Sequence, residues 1–315
     1  MTNEPNRPHS FHYLGLFLGI LFVSTAAIFI RFAQKEASSL IISAYRMTLS
    51  SLTLGIFVLI KGPGVLKKYT RKYLLLAFIA GILLAIHFAS WITSLEYTSV
   101  ASSVVLVTTT PLWVTIIAHF VLKEEIHKNV IIGLIIAMAG GIVVALNEIC
   151  VIGNGSLTCS AISAMFSGQA LLGNGLALLG AFTAAGYMLI GRKLRSEIDT
   201  LPYTFVVYGI SALILDLVVI LKGENLFNYS SNTLVWLFLL AVIPQLLGHS
   251  TFNWALRFLP ASIVSIALLG EPIGSTILAF FFLKELPTVI ELVGSCLILL
   301  GIVLASLWKK TPNGV

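Results

Sequence analysis

Residues 121–140 read VLKEEIHKNVIIGLIIAMAG, and residues 282–301 read FLKELPTVIELVGSCLILLG. Laid over one another, they match Leu122-Lys123-Glu124 with Leu283-Lys284-Glu285, Gly133 with Gly294, and Gly140 with Gly301. The offset is 161 residues (283 − 122). It holds outward without a gap. Leu146 returns as Leu307, Pro111 as Pro272, Lys61-Gly62 as Lys222-Gly223, Arg31 as Arg192 and Gly19 as Gly180. Chance matches of common residues rarely keep one register over such a distance. The chain reads itself twice. If each copy holds five membrane spans, the second enters the membrane upside down relative to the first. Two inverted units around a pseudo-two-fold axis in the membrane plane are a common plan of secondary transporters.

Composition supports the membrane reading. Hydrophobic residues make up 58% of the chain and charged residues 10%, and the mean hydropathy is +1.00. A soluble domain carries about 25% charged residues to coat its surface. Spans of roughly 20 apolar residues are needed to cross a bilayer. Ten candidates are present, at 11–32, 40–60, 73–94, 99–122, 129–147, 171–191, 201–221, 233–254, 261–283 and 288–308. The first follows a polar stretch and lacks a small-residue cleavage site, so it reads as a retained helix rather than a signal peptide. The expected fold is an all-α polytopic membrane protein, two inverted five-helix repeats. Residues 1–147 form the first repeat and 171–315 the second. Between them, 148–170 is a Ser-, Gly- and Asn-rich linker.

The net charge is +6. With the N-terminus inside, fourteen basic residues fall on the cytoplasmic side: Arg7, Lys61, Lys67, Lys68, Arg71, Lys72, Lys123, Lys128, Arg192, Lys193, Arg195, Arg257, Lys309 and Lys310. Four fall outside: Arg31, Lys35, Lys222 and Lys284. This is a positive-inside bias, not a nucleic-acid patch. Both termini are expected in the cytoplasm and the linker outside. Cys150 and Cys159 lie in that linker, where a pair can oxidise or stay as two thiols. Cys296 lies in the last span. No zinc spacing is present, and no metal or cofactor is expected.

Charged and strongly polar groups within spans are costly in lipid, so they line a cavity or pair with one another. Arg46, His87, His119, Asp216, Gln245, His249, Asn253 and Glu271 form the short inventory. Gln245, His249 and Asn253, spaced i, i+4, i+8, form one stripe on the eighth span. His87 and Trp91 share a face of the third span, with Ser94 one turn on. These residues either line a cavity or hold the bundle together by interhelical hydrogen bonds. His119 and Asp216, near span ends, read as structural. Arg46 and Glu271 are the deepest full charges. The expected arrangement is a buried pair between the second and ninth spans, serving as substrate site, conformational latch or packing.

Pro111 and Pro272 sit mid-span at equivalent positions, where proline removes a helical hydrogen bond and bends the helix. The hydroxyls of Ser102, Ser103 and Thr108 to Thr110 are placed to re-satisfy freed carbonyls near Pro111. Gly133, Ala137 and Gly141, and Gly301 with Ala305, make small-residue ridges for close helix packing, within one protomer or between two. There is no H-E-x-x-H, G-x-S-x-G or G-x-x-x-x-G-K-[ST].

The repeated five-span unit, with Leu-Lys-Glu closing its fourth span before a glycine-rich fifth, resembles the EamA-type transporters of the drug/metabolite transporter superfamily. Arg46 and Glu271-Pro272 also look like that family's residues. The resemblance runs from about residue 12 to 308. It implies ten helices around a central cavity, cytoplasmic termini, and movement of amino acids and other small metabolites, often outward. Arg46 corresponds to Val207 and His87 to Gly248, so the site is expected to be asymmetric. The first and sixth spans carry no acid, which argues against proton-coupled export of cationic drugs. The resulting expectation is a secondary transporter of the inner or plasma membrane, not an enzyme, exporting amino acids or similar metabolites. Arg46, His87, Trp91, His249, Asn253 and Glu271 are its expected substrate-binding residues. Its partners are a small-molecule substrate and the bilayer, without nucleic acid, as monomer or homodimer. The alternative is a membrane-embedded enzyme or lipid-handling protein.

Overall fold

The structure is a computed structural model that describes residues 10–97, 103, 106–123, 126–153, 156–159, 168–283 and 288–306. Six helices are long and apolar enough to cross a membrane, and four shorter apolar helices bring the described set to ten. We number them in chain order. The first repeat holds α1 (Ser10–Ala33), α2 (Ser39–Lys61), α3 (Arg71–Tyr97), α4 (Thr110–Val121) and α5 (Lys128–Ile149). The second holds α6 (Gly168–Arg195), α7 (Thr200–Leu221), α8 (Ser231–Ala255), α9 (Ala261–Leu283) and α10 (Val289–Ser306).

Local sequence sets where helices start and stop. Ser38 caps α2 by accepting from the Ile41 amide at 3.3 Å, and Ser230 caps α8 by accepting from the Thr233 amide at 3.3 Å. Such caps satisfy amides left free in the first turn. α2 and α7 end in the repeated Lys-Gly pair. Gly62 and Gly223 take φ of +83° and +68°, a region open to glycine at little cost. The Leu-Lys-Glu motif lies partly outside the described residues. Lys123 ends α4 in a left-handed conformation, φ 53°, while Glu124, Lys284 and Glu285 are not described.

The repeat is visible in how helices pair. α1 packs on α8, and its equivalent α6 packs on α3, the equivalent of α8. α2 pairs with α7 and α5 with α10, each helix with its own counterpart. The contacts match residue by residue. A Cβ placed on Gly19 would meet the Phe252 ring at 3.0 Å, and one placed on Gly180 would meet Trp91 at 3.2 Å. Gly180 is Gly19 shifted by 161, and Phe252 is Trp91 shifted by 161.

Close packing of α5 on α10 places the small-residue ridges inside one protomer. A Cβ on Gly133 would stand 2.5 Å from the carbonyl of Gly301, and one on Gly140 would stand 2.7 Å from that of Gly294. Backbone approach this close leaves no room for a side chain. The ridge is Gly133, Ala137 and Gly140 rather than the expected Gly133, Ala137 and Gly141, because Gly141 faces open space. At 3.6 residues per turn, i+7 returns nearer the starting face than i+8.

Large apolar side chains cover the outside. Leu59 is 79% exposed and Leu221 76%, which suits hydrocarbon and not water. Polar residues within the spans, among them Arg46, His87, Gln245 and Asn253, are buried. The 148–170 linker, which the helical pattern leaves unassigned, contains a two-stranded antiparallel hairpin, β1 (Cys150–Gly153) with β2 (Ser156–Cys159). Its register sets Cys150 opposite Cys159, whose side chains lie outside the described residues. Cys296 is exposed and free.

α1 is interrupted by a turn at Ser24–Thr25, and three further spans depart from regular helix around the centre. The Thr108–Thr109 turn precedes α4, in which Pro111 stands in the first turn. α9 runs Ala261–Ala267, tightens to a 3₁₀ turn at Leu268–Gly270, and resumes at Glu271 immediately before Pro272. The breaks are repeat-equivalent. Thr109 and Thr110 return hydroxyl hydrogen bonds to the Leu106 and Val107 carbonyls, each at 2.7 Å. Ser102 lies outside the described residues, and Ser103 joins Ser94 at 2.5 Å. α8 widens into π-helical turns over Ala241–His249, with Pro244 inside them. Such wide turns insert an extra residue and rotate the rest of the helix about its axis.

Candidate functional site

A cavity of about 80 Å³ lies among α1, α2, α3, α4, α6, α8 and α9. Much of its lining comes in pairs 161 residues apart: Ala26 with Tyr187, Trp91 with Phe252, Thr110 with Glu271, and Val107 with Leu268. Residues related by the repeat meet around one space only if that space lies on the repeat axis. The cavity therefore occupies the pseudo-two-fold.

Arg46, His87, Trp91, His249, Asn253, Glu271 and Pro111 line it. Pro272 is not among the lining residues but adjoins Glu271 at the break in α9. Arg46, from the buried face of α2, is 1% exposed. Its Nε donates to Gln245 Oε1 at 2.7 Å, and its guanidinium carbon lies 4.3 Å from the centroid of the Phe88 ring. Nη1 and Nη2 are buried with no hydrogen-bond partner among the described residues.

The direct Arg46–Glu271 pair expected from the sequence is not formed here, since no ion pair between them occurs among the described residues. The reason is local. Gln245 and Phe88 hold the Nε edge and one face of the guanidinium. Glu271 opens the second segment of α9, and its backbone carbonyl accepts from Ser24 Oγ at 3.2 Å. Arg46 and Glu271 both line one cavity.

His87 is held by its Nδ1, 2.9 Å from the Gly180 carbonyl. A carbonyl only accepts, so Nδ1 carries the proton and Nε2 is the acceptor of the neutral ring. The imidazole stacks on Trp91 with centroids 6.0 Å apart and planes 12° apart. The Trp91 indole N–H is buried and unbonded among the described residues. The His249 ring stands edge-on to Phe88 at 5.5 Å. Asn253 accepts from the Tyr187 hydroxyl at 2.7 Å and donates to the Tyr208 hydroxyl at 3.2 Å. The i, i+4, i+8 stripe is thus divided: His249 and Asn253 face the cavity, while Gln245 sits behind Arg46. The wide turns at Ala241–His249 separate them. His119 contacts Phe120 away from the cavity, and Asp216 accepts from Thr48 at 2.8 Å on the α2–α7 seam.

Exposed polar contacts join helix ends on both sides of the bundle. At one end Asp199 meets Arg257 at 2.7 Å and Lys68 at 3.6 Å, and the Arg257 hydrogen bond holds its carboxyl below the usual range. At the other, Glu36 accepts from Thr233 Oγ1 at 2.5 Å and from Ser230 Oγ at 2.7 Å at the start of α8. The Thr233 hydrogen bond, then those from Ser230, lower its carboxyl below the usual range.

A sequence model of the EamA-like transporter family matches this chain twice, over residues 10–146 and 171–307, one match per repeat. The chain belongs to the EamA-like transporter family. Curated relatives span nearly all of it. An uncharacterized transporter of Archaeoglobus fulgidus is 22% identical over 295 residues, 93% of this chain and 96% of that one. The uncharacterized transporter YetK of Bacillus subtilis is 25% identical over 308 residues, 96% of this chain and 88% of that one. A solved crystal structure shares the fold at TM-score 0.74 and 17% identity, covering 95% of this chain and 98% of that one.

In this EamA-like transporter the sequence inventory missed Tyr187, Tyr208, Phe88 and Phe252, and it missed Pro244. Aromatic residues in apolar spans carry no mark of their surroundings. A usable signal existed for two of them. Phe252 is the repeat counterpart of Trp91, and Phe88 is that of His249. Shifting every candidate by 161 would have drawn both into the site.

Proposed function

We propose that this multi-pass membrane protein is a secondary transporter that exports amino acids or similarly small metabolites by alternating access. It acts in the inner or plasma membrane with both termini in the cytoplasm. The observation that carries the reading is the cavity on the repeat axis, lined by equivalent residues of both halves and holding opposite charges, Arg46 and Glu271. A central site between inverted repeats, bordered by broken helices, suits rocking of one repeat against the other. Arg46, His87, Trp91, His249, Asn253 and Glu271 bind the substrate. The breaks at Pro111 and Pro272 let the walls move. The orientation rests on the distribution of Lys and Arg.

The test is flux of labelled amino acids in liposomes containing only this protein, with Arg46→Ala as control. Solute-specific flux lost in the variant is the expected result. Chemical conversion of a solute or lipid without flux would replace transport with the enzyme reading. An impermeant thiol reagent checks orientation: Cys159 is expected to label in intact cells, and labelling only after permeabilisation would reverse the topology.

A further inference from the structure

Resting on that transport reading, we infer that the cavity recognises its substrate by a single carboxylate, gripped by the two free Nη atoms of Arg46, with Gln245 as the positioning residue. The guanidinium is held at one edge and on one face. Its Nε edge is fixed by Gln245 at 2.7 Å, one face is covered by Phe88 at 4.3 Å, and its stem comes from α2. The remaining edge carries Nη1 and Nη2, both buried and both unbonded among the described residues. A buried charged donor without an acceptor is costly. The group that matches two parallel N–H donors is a planar pair of oxygens.

The rest of the cavity narrows the chemistry. Among the described residues Arg46 is the one Lys or Arg in its lining, and Glu271 adds a negative charge to the same space. A phosphate of charge near −2 would face that carboxylate with a single cation to hold it. A monocarboxylate brings one negative charge, rather than two, to that single cation. The body of the solute meets Leu84, Trp91, Met188, Phe252, Leu256 and Leu268, an apolar set. The repeat allows no second anion subsite, because the counterpart of Arg46 is Val207 and that of Gln245 is Leu84. The substrate is a monocarboxylate with an apolar body, and dicarboxylates are rejected.

Ligand binding to the purified full-length protein tests this without requiring transport. The probes are L-leucine, L-phenylalanine and 4-methylpentanoate, the amide of each, glutarate and inorganic phosphate. The readout is the shift of the thermal unfolding midpoint with millimolar probe. At least one acid is expected to raise the midpoint while its amide, glutarate and phosphate do not. Gln245→Met should weaken that acid about tenfold, roughly 1.4 kcal/mol, and leave any weak amide shift unchanged. Arg46→Lys, which keeps charge but loses the fork, should abolish the acid-over-amide preference. If Arg46 variants do not fold, Gln245→Met carries the test. Equal shifts from acid and amide, a larger shift from phosphate or glutarate, or no shift from any acid would each overturn the proposal. Acid-selective binding without flux in liposomes would remove the transport reading and leave the subsite standing. Flux of solutes with no acid-selective binding would do the reverse.

Discussion

The two repeats are built on the same plan and differ in chemistry at the centre. Arg46, Gln245, His249 and Asn253 form one set of positions there. Shifted by 161, the same positions are Val207, Leu84, Phe88 and Ile92, of which Leu84 lines the cavity and Phe88 packs on Arg46 itself. One set is polar and its counterpart is wholly apolar. The packing positions behave differently: Gly19 and Gly180, Gly140 and Gly301, and Pro111 and Pro272 are the same residue in both copies. Backbone approach and helix breaks are demanded twice by an inverted repeat. A charged subsite is demanded once, since a second cation in so small a space would repel the first. A symmetric frame with one polar set also gives a bound solute a single orientation.

If this division is right, packing pairs respond alike to substitution and central pairs respond unequally. The largest effect is expected at the α5–α10 contact. Gly140→Val and Gly301→Val should each abolish folded protein, because a Cβ at either site meets backbone at 2.7 Å and 2.5 Å. Gly141→Val, in open space, should express normally. Size-exclusion profiles in detergent read this out, and unequal behaviour of Gly140 and Gly301 would break the symmetry argument.

Next come Arg46 and its repeat counterpart, the core residue Val207. Arg46→Ala should reduce substrate affinity by about tenfold to a hundredfold, the worth of hydrogen bonds to a charged group, roughly 1.5–3 kcal/mol. Val207→Ala should leave affinity unchanged and cost about 1–3 kcal/mol of stability through lost core methyls. Concentration dependence of flux separates the two outcomes.

A smaller contrast is set by one substitution made in both sets. Asn253→Leu strips the Tyr187 hydroxyl of its acceptor and removes one partner of the Tyr208 hydroxyl, which Ser250 also meets, and is expected to cost about 1–3 kcal/mol. Ile92→Leu keeps volume and polarity and should cost under about 1.5 kcal/mol. Thermal midpoints of the two variants measure the difference, and similar losses would mean that the polar cluster is no more than packing.

The smallest effect lies at the ends. Glu36 corresponds to Glu197; both are exposed, and Glu36 caps the start of α8 through Ser230 and Thr233. The Glu36 carboxyl is lowered in the folded protein, chiefly by the Thr233 hydrogen bond. Its contribution is therefore present above the ordinary carboxylate range and lost as pH falls through the lowered folded value. A midpoint that drops on acidification in the parent, and less so in Glu36→Gln, is the expected pattern. Unchanged acid sensitivity in Glu36→Gln would remove the cap.

The inverted ten-helix frame was legible because its causes are local and written twice. Spans come from runs of apolar residues, and the equivalence of halves comes from glycine and proline at one offset. The polar inventory was legible because lipid penalises each member wherever it sits. The partner of Arg46 was not. Charge complementarity pointed to Glu271, yet the acceptor at Nε is Gln245, brought there by the wide turns around Pro244 in α8. Phase was the second blind spot, where a step of one residue separates Gly140 in the contact from Gly141 in the open.

By itself, then, the sequence determined the membrane class, the repeat, the broken spans and which polar groups must be hidden from lipid. Each of these depends on residue identity and spacing along the chain. Only the tertiary structure decided which hidden groups meet, which edge of Arg46 stays free, and that the cavity lies on the repeat axis. Those outcomes turn on helix phase and on ångström-scale approach between segments as far apart in the chain as Arg46 and Gln245, which no local pattern records.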